Sequence, residues 1–141
     1  MTETEFRLRY SELIEYYQYI EERLKYICAQ LLADADKGWF NRLNELESDP
    51  FGMLIRKIKQ LQNEKQMIVL DDKEIRELDD MRNSRIYWIH QCFGGMSSPV
   101  IFRKGELRRP EHAKKLKEDL SMAIEWEEKL TGKMQEGKNA Q

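Results

Sequence analysis

A helical repeat of apolar residues near the start of the chain constrains the fold more than any other feature. Over residues 4–33, apolar side chains recur at steps of three and four, at Phe6, Tyr10, Leu13, Ile14, Tyr17, Ile20, Leu24, Ile27, Cys28 and Leu31. This spacing places them on one face of an α-helix. Charged residues such as Glu21, Glu22 and Lys25 fall on the other face. The repeat therefore predicts a long core helix, capped at Thr2 or Thr4.

Shorter apolar repeats predict the remaining helices. Three long helices are expected over about residues 50–64, 72–93 and 110–135, and a short one within WFNRLNEL, residues 39–46. Their expected core residues are Trp39, Phe40, Leu43 and Leu46; then Phe51, Leu54, Ile55, Ile58 and Leu61; and, in the last helix, Ala113, Leu116, Leu120, Ala123, Leu130 and Met134. The predicted fold class is all-α, an antiparallel bundle of four to five helices.

The segments between the helices carry capping and turn signals. The apolar run at residues 68–70 is interpreted as a loop packed on the core, because so short a run has no evident strand to pair with. Asp71 or Asp72 can cap the helix that follows, and Gly94-Gly95 is expected to end it. A short extended piece is expected at residues 100–102.

Length and charge limit the number of domains and the class of partner. The chain has 141 residues, the size of one domain, which is predicted over residues 1–135 with a frayed tail over 136–141. The formal net charge is −2, which argues against a protein that coats nucleic acid through its overall charge. Any such contact would use a local basic patch.

The cysteines and the hydropathy indicate the compartment. Cys28 and Cys92 lack CxxC spacing and are interpreted as small buried residues of a reduced, intracellular protein. No leader peptide and no apolar run of membrane-spanning length is recognisable, so a cytoplasmic protein without membrane contact is expected. No His, Cys and acid residues have the spacing of a zinc site, so neither a metal nor another cofactor is expected.

An arginine stands on the apolar stripe of the fourth long repeat. At helical spacing the stripe contains Leu78, Met81 or Arg82, Arg85, Ile89 and Cys92, with Ile75 and Trp88 at its sides. Arg85 thus takes a place where periodicity favours Leu or Ile. In an α-helix His90 would lie about 140° around the axis from Arg85, almost directly over Asn83. The two side chains would flank one groove.

A structural explanation of this pair is open. Arg85 is then a partly buried arginine whose head pairs with an acidic neighbour such as Glu15 or Asp80. His90 is then a half-buried histidine bonded to a backbone carbonyl. One arginine and one histidine at this spacing favour the structural explanation when the residues are considered alone.

The stretch around Arg85 resembles a known motif. Residues 78–93 read LDDMRNSRIYWIHQCF, in which four residues separate Arg85 from His90, and Phe93 is the nearest following aromatic residue. This is similar to the signature helix of the HEPN superfamily, small all-helical proteins of which many are metal-independent ribonucleases. Their motif is an arginine, four to six residues and a histidine, often followed by an aromatic residue. The order of helices is similar over most of residues 5–135.

The resemblance implies a site and a mechanism. The nucleophile would be the 2′-hydroxyl of the RNA itself, His90 would transfer a proton, and Arg85 would bind the phosphate oxygens. No metal would be required, and the products would carry a 2′,3′-cyclic phosphate and a 5′-hydroxyl. The resemblance also implies a homodimer formed through the signature helix, with two sites in one cleft.

One residue departs from the motif of active members. The position after the motif arginine is commonly polar, whereas here it is Ile86. Asn83 and Ser84, just before the arginine, are the candidates for supplying the missing polar group, and Asn83 would stack beneath His90. Arg82-Asn83 also looks like the usual pair, but the spacing from Arg82 to His90 is too long.

A basic segment follows the motif helix. Residues 103–117 contain seven Lys or Arg against two Glu. The candidates for nucleic-acid binding are Arg82, Arg103, Lys104, Arg108 and Arg109, and the alternative is a solvated loop and helix surface. His112 is interpreted as a surface residue.

Two functions follow from this sequence. The first is a HEPN-like endoribonuclease or RNA-binding factor of the toxin or antiviral-defence type, with RNA and a cognate neutralising protein as partners. The second is a non-catalytic HEPN-like helical module that binds a protein partner or a nucleotide. Ile86 and the net charge favour the second, and Arg85, His90 and the basic segment favour the first.

Overall fold

The chain folds into an all-α bundle, as the apolar repeats predict. The computed structural model describes residues 1–93 and 100–140, with side chains to residue 136. The α-helices in these ranges are α1 (Glu3–Leu32), α2 (Trp39–Glu45), α3 (Phe51–Glu64), α4 (Asp72–Ile86) and α5 (Pro110–Ala140). A π-helical turn (Tyr87–Gln91) continues α4, and a two-stranded hairpin, β1 (Phe102–Arg103) and β2 (Glu106–Leu107), precedes α5. The predicted terminator Gly94-Gly95 lies outside the described residues.

The long first helix is the centre of the bundle. Thr2 caps it: its side chain accepts a hydrogen bond from Glu5 N, and the Glu5 carboxylate accepts one from Thr2 N. Its apolar face is buried from Phe6 to Leu31. α1 packs chiefly against α5 and also contacts α2 and α3.

The helices do not all alternate in direction around α1. Arg23 hydrogen-bonds Glu127 and Gln30 hydrogen-bonds the carbonyl of Met134, so α1 and α5 run in the same direction. Glu21 bonds Arg85 whereas Tyr10 bonds Trp88, so the chain from α4 into the π-helical turn runs opposite to α1. The chain therefore returns along α4 to the end of the bundle where α1 begins.

Several predicted core positions lie at the surface. Phe40 is 65% exposed and Ile68 is 83% exposed, because α2 is too short to bury more than one side and the loop before α4 turns only Leu70 fully inward. Leu61 is only partly buried. α5 continues to Ala140, into the segment for which the sequence predicts a tail.

The buried cysteines agree with the sequence. Cys28 and Cys92 are both free and buried. Burial raises the pKa of the Cys28 thiol to about 11 and also raises that of Cys92. Both are therefore neutral thiols packed as small apolar groups. None of the helices in the described ranges has an apolar stretch of the length and hydropathy that crossing a membrane requires.

A buried glutamine fixes the loop between α3 and α4. Gln62 is 6% exposed. Its amide nitrogen donates to the carbonyl of Leu70 at 2.7 Å, and its amide oxygen accepts from the backbone N–H groups of Val69 and Leu70 at 3.2 and 3.1 Å. Gln62 thus satisfies backbone groups that the loop leaves without partners.

We expect Gln62→Leu to lower the free energy of unfolding by about 2–4 kcal/mol, because it leaves buried backbone groups without partners. Urea titration followed by circular dichroism measures the change. Gln60→Leu is the matched control, since Gln60 lies on the same helix and bonds only the surface residue Glu64. A loss below about 1 kcal/mol for Gln62→Leu would show that the loop finds other partners.

Candidate functional site

The predicted motif helix contains a π-helical turn. α4 begins with a capping box between Asp71 and Glu74 and is α-helical to Ile86. The N–H of Cys92 then donates to the carbonyl of Tyr87, five residues back, at 2.9 Å. The sequence predicts an uninterrupted α-helix here. A π-helical turn inserts one residue into a helix and is frequent at functional sites.

Trp88 anchors this turn on two other helices. Its side chain is fully buried, and its indole N–H donates to the Asp119 carboxylate of α5 at 2.7 Å. Its carbonyl accepts hydrogen bonds from the Tyr10 hydroxyl of α1 at 2.8 Å and from the Cys92 thiol at 3.0 Å. These two hydrogen bonds connect the Trp88 carbonyl to α1 and to the end of the turn.

Arg85 is paired within the protein. A terminal nitrogen of its guanidinium lies 3.1 Å from the Glu21 carboxylate of α1, and the guanidinium lies 5.8 Å from the centre of the Phe51 ring. The Nε atom is buried without a hydrogen-bond partner. The acidic partner is Glu21 and not Glu15 or Asp80, because Arg85 meets α1 six residues beyond Glu15.

His90 is exposed and lies apart from the groove of Arg85. It makes no hydrogen bond to the described residues, so it is not the half-buried histidine of the structural explanation. Arg85 lines a shallow groove with Tyr19, Glu21 and Glu22, and the described grooves that contain Arg85 do not include His90.

The same insertion changes the apolar stripe. Trp88, not Ile89, continues the buried face after Met81 and Arg85, and Ile89 is 39% exposed. Ile86 and Phe93 are also exposed. These residues form an exposed apolar strip beside His90, which we call the outer strip (Ile86, Ile89 and Phe93).

Asn83 and Arg82 lie on the outside of α4. Asn83 is exposed, and its side chain makes no hydrogen bond to the described residues. Arg82 crosses α3 at Gly52, where a Cβ atom would come within 2.9 Å of the Arg82 Cδ atom. Arg82 is therefore directed toward α3 and is separate from the other predicted nucleic-acid-binding residues.

Those other residues lie on the hairpin. Lys104 and Gly105 both have positive φ angles, 54° and 76°, which is the backbone of a tight two-residue hairpin turn. The sequence predicts only the first extended piece, although Lys104-Gly105 was the available turn signal. Arg103, Lys104, Arg108 and Arg109 are exposed and form no ion pair with the described residues. We call these four the hairpin cations.

The rest of the predicted basic segment is different. On α5, Lys115 pairs with Asp119 at 3.0 Å and Lys114 pairs with Glu118 at 3.8 Å. The predicted patch over residues 103–117 thus divides into an unpaired hairpin and a helix surface on which two of the three lysines, Lys114 and Lys115, are paired with acids.

The hairpin lies beside the end of the motif helix. The N–H of Val100 donates to the carbonyl of Cys92 at 2.6 Å. The Arg7 guanidinium lies over both the Phe93 and Phe102 rings, 5.7 and 5.2 Å from their centres. The hairpin cations and His90 are therefore at the same end of the bundle.

His112 is buried, whereas the sequence analysis predicted a surface residue. It is 4% exposed. Its Nδ1 atom is 3.2 Å from the Tyr87 hydroxyl, and Nε2 is buried without a hydrogen-bond partner. Burial lowers the pKa of the imidazole. The sequence could have predicted this burial, because His112 lies one helical turn before Leu116 on the buried face of α5.

The comparisons with known proteins add no family. No family model, curated protein or solved structure matches the chain. Within the described residues no group of three or more His, Cys, Asp or Glu side chains could hold a metal ion. The site is therefore defined by its geometry alone.

A double-mutant cycle measures the Arg85–Glu21 pair. We expect Arg85→Met and Glu21→Gln to show a coupling energy of about 1–2 kcal/mol in urea unfolding, because both side chains are largely buried. The control pair is Arg7–Glu3, whose side chains are 58% and 41% exposed and whose coupling should stay below about 0.5 kcal/mol. Equal coupling for both pairs would contradict a structural contribution of Arg85.

His112 should make stability depend on pH. Because its pKa is lower in the folded than in the unfolded chain, its neutral form contributes fully above about pH 6.5, the ordinary value for histidine. That contribution is lost as the pH falls below this value toward the folded-state pKa. We expect the unfolding free energy to fall less between about pH 7 and 5 in His112→Gln than in wild type. An identical fall in both would show that His112 has no such effect.

Proposed function

We propose that this protein is a HEPN-like RNA-binding protein that cleaves RNA without a metal ion. The observation that carries the proposal is the exposed His90, which has no partner among the described residues and lies at the same end of the bundle as the hairpin cations. An accessible imidazole at the same end of the bundle as unpaired positive charge is a combination that RNA cleavage by acid–base catalysis can use.

The chemistry assigns one task to each group. The hairpin cations attract the phosphate backbone, and His90 takes a proton from the 2′-hydroxyl or gives one to the departing 5′-oxygen. The 2′-oxygen attacks the adjacent phosphorus, so the products carry a 2′,3′-cyclic phosphate and a 5′-hydroxyl. Arg85 would release the Glu21 carboxylate and bind the phosphate instead, where its guanidinium would stabilise the negative charge.

A second copy of the chain completes the proposed site. The outer strip flanks His90 with exposed apolar side chains, of which Phe93 is 44% exposed. A homodimer formed through this strip would cover the strip and place two copies of His90 near one cleft. The protein would act as a toxin or defence factor, restrained by a cognate neutralising protein.

One observation favours a second function. The Arg85 guanidinium is held by Glu21 at 3.1 Å, and Ile86 replaces the polar residue of active HEPN proteins. A bundle whose arginine is permanently neutralised would bind a protein partner or a nucleotide without cleaving RNA.

Cleavage of a mixed RNA pool in excess EDTA separates the two functions. We expect His90→Ala to reduce the rate by a factor of about 100 or more, the usual contribution of a general acid or base. Gln91→Ala, at the exposed neighbouring position, should keep the wild-type rate. We expect Arg85→Ala to be inactive and Glu21→Gln to be at least as active as wild type, because it releases Arg85.

No cleavage by folded wild-type protein would support the non-catalytic module. Equal loss in Arg85→Ala and Glu21→Gln would show that the ion pair is needed for structure only.

RNA affinity should depend on the hairpin cations. We expect the double variant Arg103→Glu and Arg108→Glu to bind single-stranded RNA more weakly and to lower the slope of log affinity against log salt by about 0.7 for each lost phosphate contact. Filter binding at several salt concentrations measures this. Arg56→Glu, an exposed charge reversal on α3, is the control. The same weakening in Arg56→Glu would indicate a general effect of net charge.

A further inference from the structure

An acidic groove lies between α4 and α5, on a part of the molecule that the proposed RNA site does not use. Its volume is about 260 Å³. Four carboxylates line it: Glu77 and Asp80 from α4, and Glu118 and Asp119 from α5. The described residues that line this groove include no lysine or arginine.

The charge of the groove is only partly neutralised. Lys114 and Lys115 pair with the two acids of α5. Glu77 and Asp80 form no ion pair with the described residues. The α4 side of the groove therefore presents uncompensated negative charge above the apolar side chains of Met81 and Met122.

A buried tyrosine hydroxyl at the groove has no partner. Tyr17 lines the groove and is 1% exposed, and its hydroxyl oxygen makes no hydrogen bond. Burial and then the charge of Asp119 raise the pKa of this hydroxyl, so it stays protonated. A buried polar atom without a partner costs stability, and an N–H donor in the groove would remove that cost.

A neighbouring cavity shows how the protein holds one of its own cations. Glu77 and Met122 also line a second cavity of about 200 Å³, beside Trp126 and Lys129. There the Lys129 ammonium lies 4.6 Å from the centre of the Trp126 ring and 3.4 Å from the Glu74 carboxylate. The groove between α4 and α5 has similar acidic and apolar walls, but no described lysine or arginine lines it.

The geometry favours an organic cation over a metal ion. No three of these carboxylates are close enough to hold a metal ion, as for all the described residues. A planar guanidinium presents five N–H donors over a wider area and stacks its faces on apolar side chains. The volume is below that of a typical site for a drug-sized ligand, and suits a single side chain.

We propose that the groove between α4 and α5 binds the guanidinium group of an arginine, with Glu77, Asp80 and Glu118 accepting its N–H groups and the Tyr17 hydroxyl oxygen at its floor. The arginine comes from a peptide segment or is the free amino acid, and both offer the same head group.

Nuclear magnetic resonance titration tests this proposal. The probes are N-acetyl-arginine amide, free arginine and spermidine, added to ¹⁵N-labelled protein at low salt, with the amides of Ser84 and Met122 as reporters. We expect saturable shifts with an arginine probe. Tighter binding of the capped form indicates a peptide source, and tighter binding of free arginine indicates the amino acid.

Matched variants connect the shifts to the groove. Glu77→Gln and Asp80→Asn should each weaken binding about tenfold, since each removes a charge-assisted hydrogen bond. Asp79→Asn, next to Asp80 but outside the groove, should not change it. Tyr17→Phe should weaken binding while the melting temperature stays the same or rises, because the lost hydroxyl had no partner.

The proposal is overturned if no arginine probe gives saturable shifts or if spermidine alone binds. It is also overturned if Asp79→Asn loses as much affinity as Asp80→Asn. A melting temperature that falls in Tyr17→Phe would show that the hydroxyl has a structural partner, and would contradict its place in the site. These results do not depend on RNA cleavage.

Discussion

The structure depends on how Trp88 is held. Its indole N–H reaches Asp119 of α5 and its carbonyl accepts the Tyr10 hydroxyl of α1, so one buried residue joins three parts of the bundle. A helix carbonyl has a second lone pair, so it can accept such side-chain donors in addition to its backbone bond. The π-helical turn at Tyr87–Gln91 inserts one residue at this point of the helix. Trp88 is buried in the core, whereas Ile89 and His90 are exposed.

Two groups that the sequence places in one motif have different surroundings in the structure. Arg85 precedes the turn and is directed to α1, where Glu21 neutralises it. His90 belongs to the turn and is exposed, at the end of the bundle that also carries the hairpin. Within one copy of the chain His90 is thus accessible, whereas the Arg85 guanidinium is paired with Glu21. The proposed RNA cleavage therefore requires the Arg85–Glu21 pair to open, whereas binding to the hairpin does not.

The sequence predicts the helices well because each has an apolar repeat or a cap that acts locally, as Thr2 and Asp71 do. It does not predict the π-helical turn, since that turn results from the distant contacts of Trp88. Phe40 and Ile68 are apolar but exposed, because periodicity does not reveal which helices are too short to cover a residue. For the candidate site, the sequence proposes Arg85 and His90 but does not predict Glu21 as the partner of Arg85. The burial of His112 could have been predicted from the sequence, because His112 lies one helical turn before the core residue Leu116.

The central claim is that His90 is the group that meets RNA at the exposed end of the bundle. The chain has two histidines, one exposed and one buried, so imidazole resonances measure this directly. We would record ¹⁵N-imidazole spectra while adding a short single-stranded RNA, with His112→Gln to assign the signals. We expect the His90 resonances to shift in a saturable way and those of His112 to stay unchanged. An unchanged His90 signal in the presence of bound RNA would contradict it.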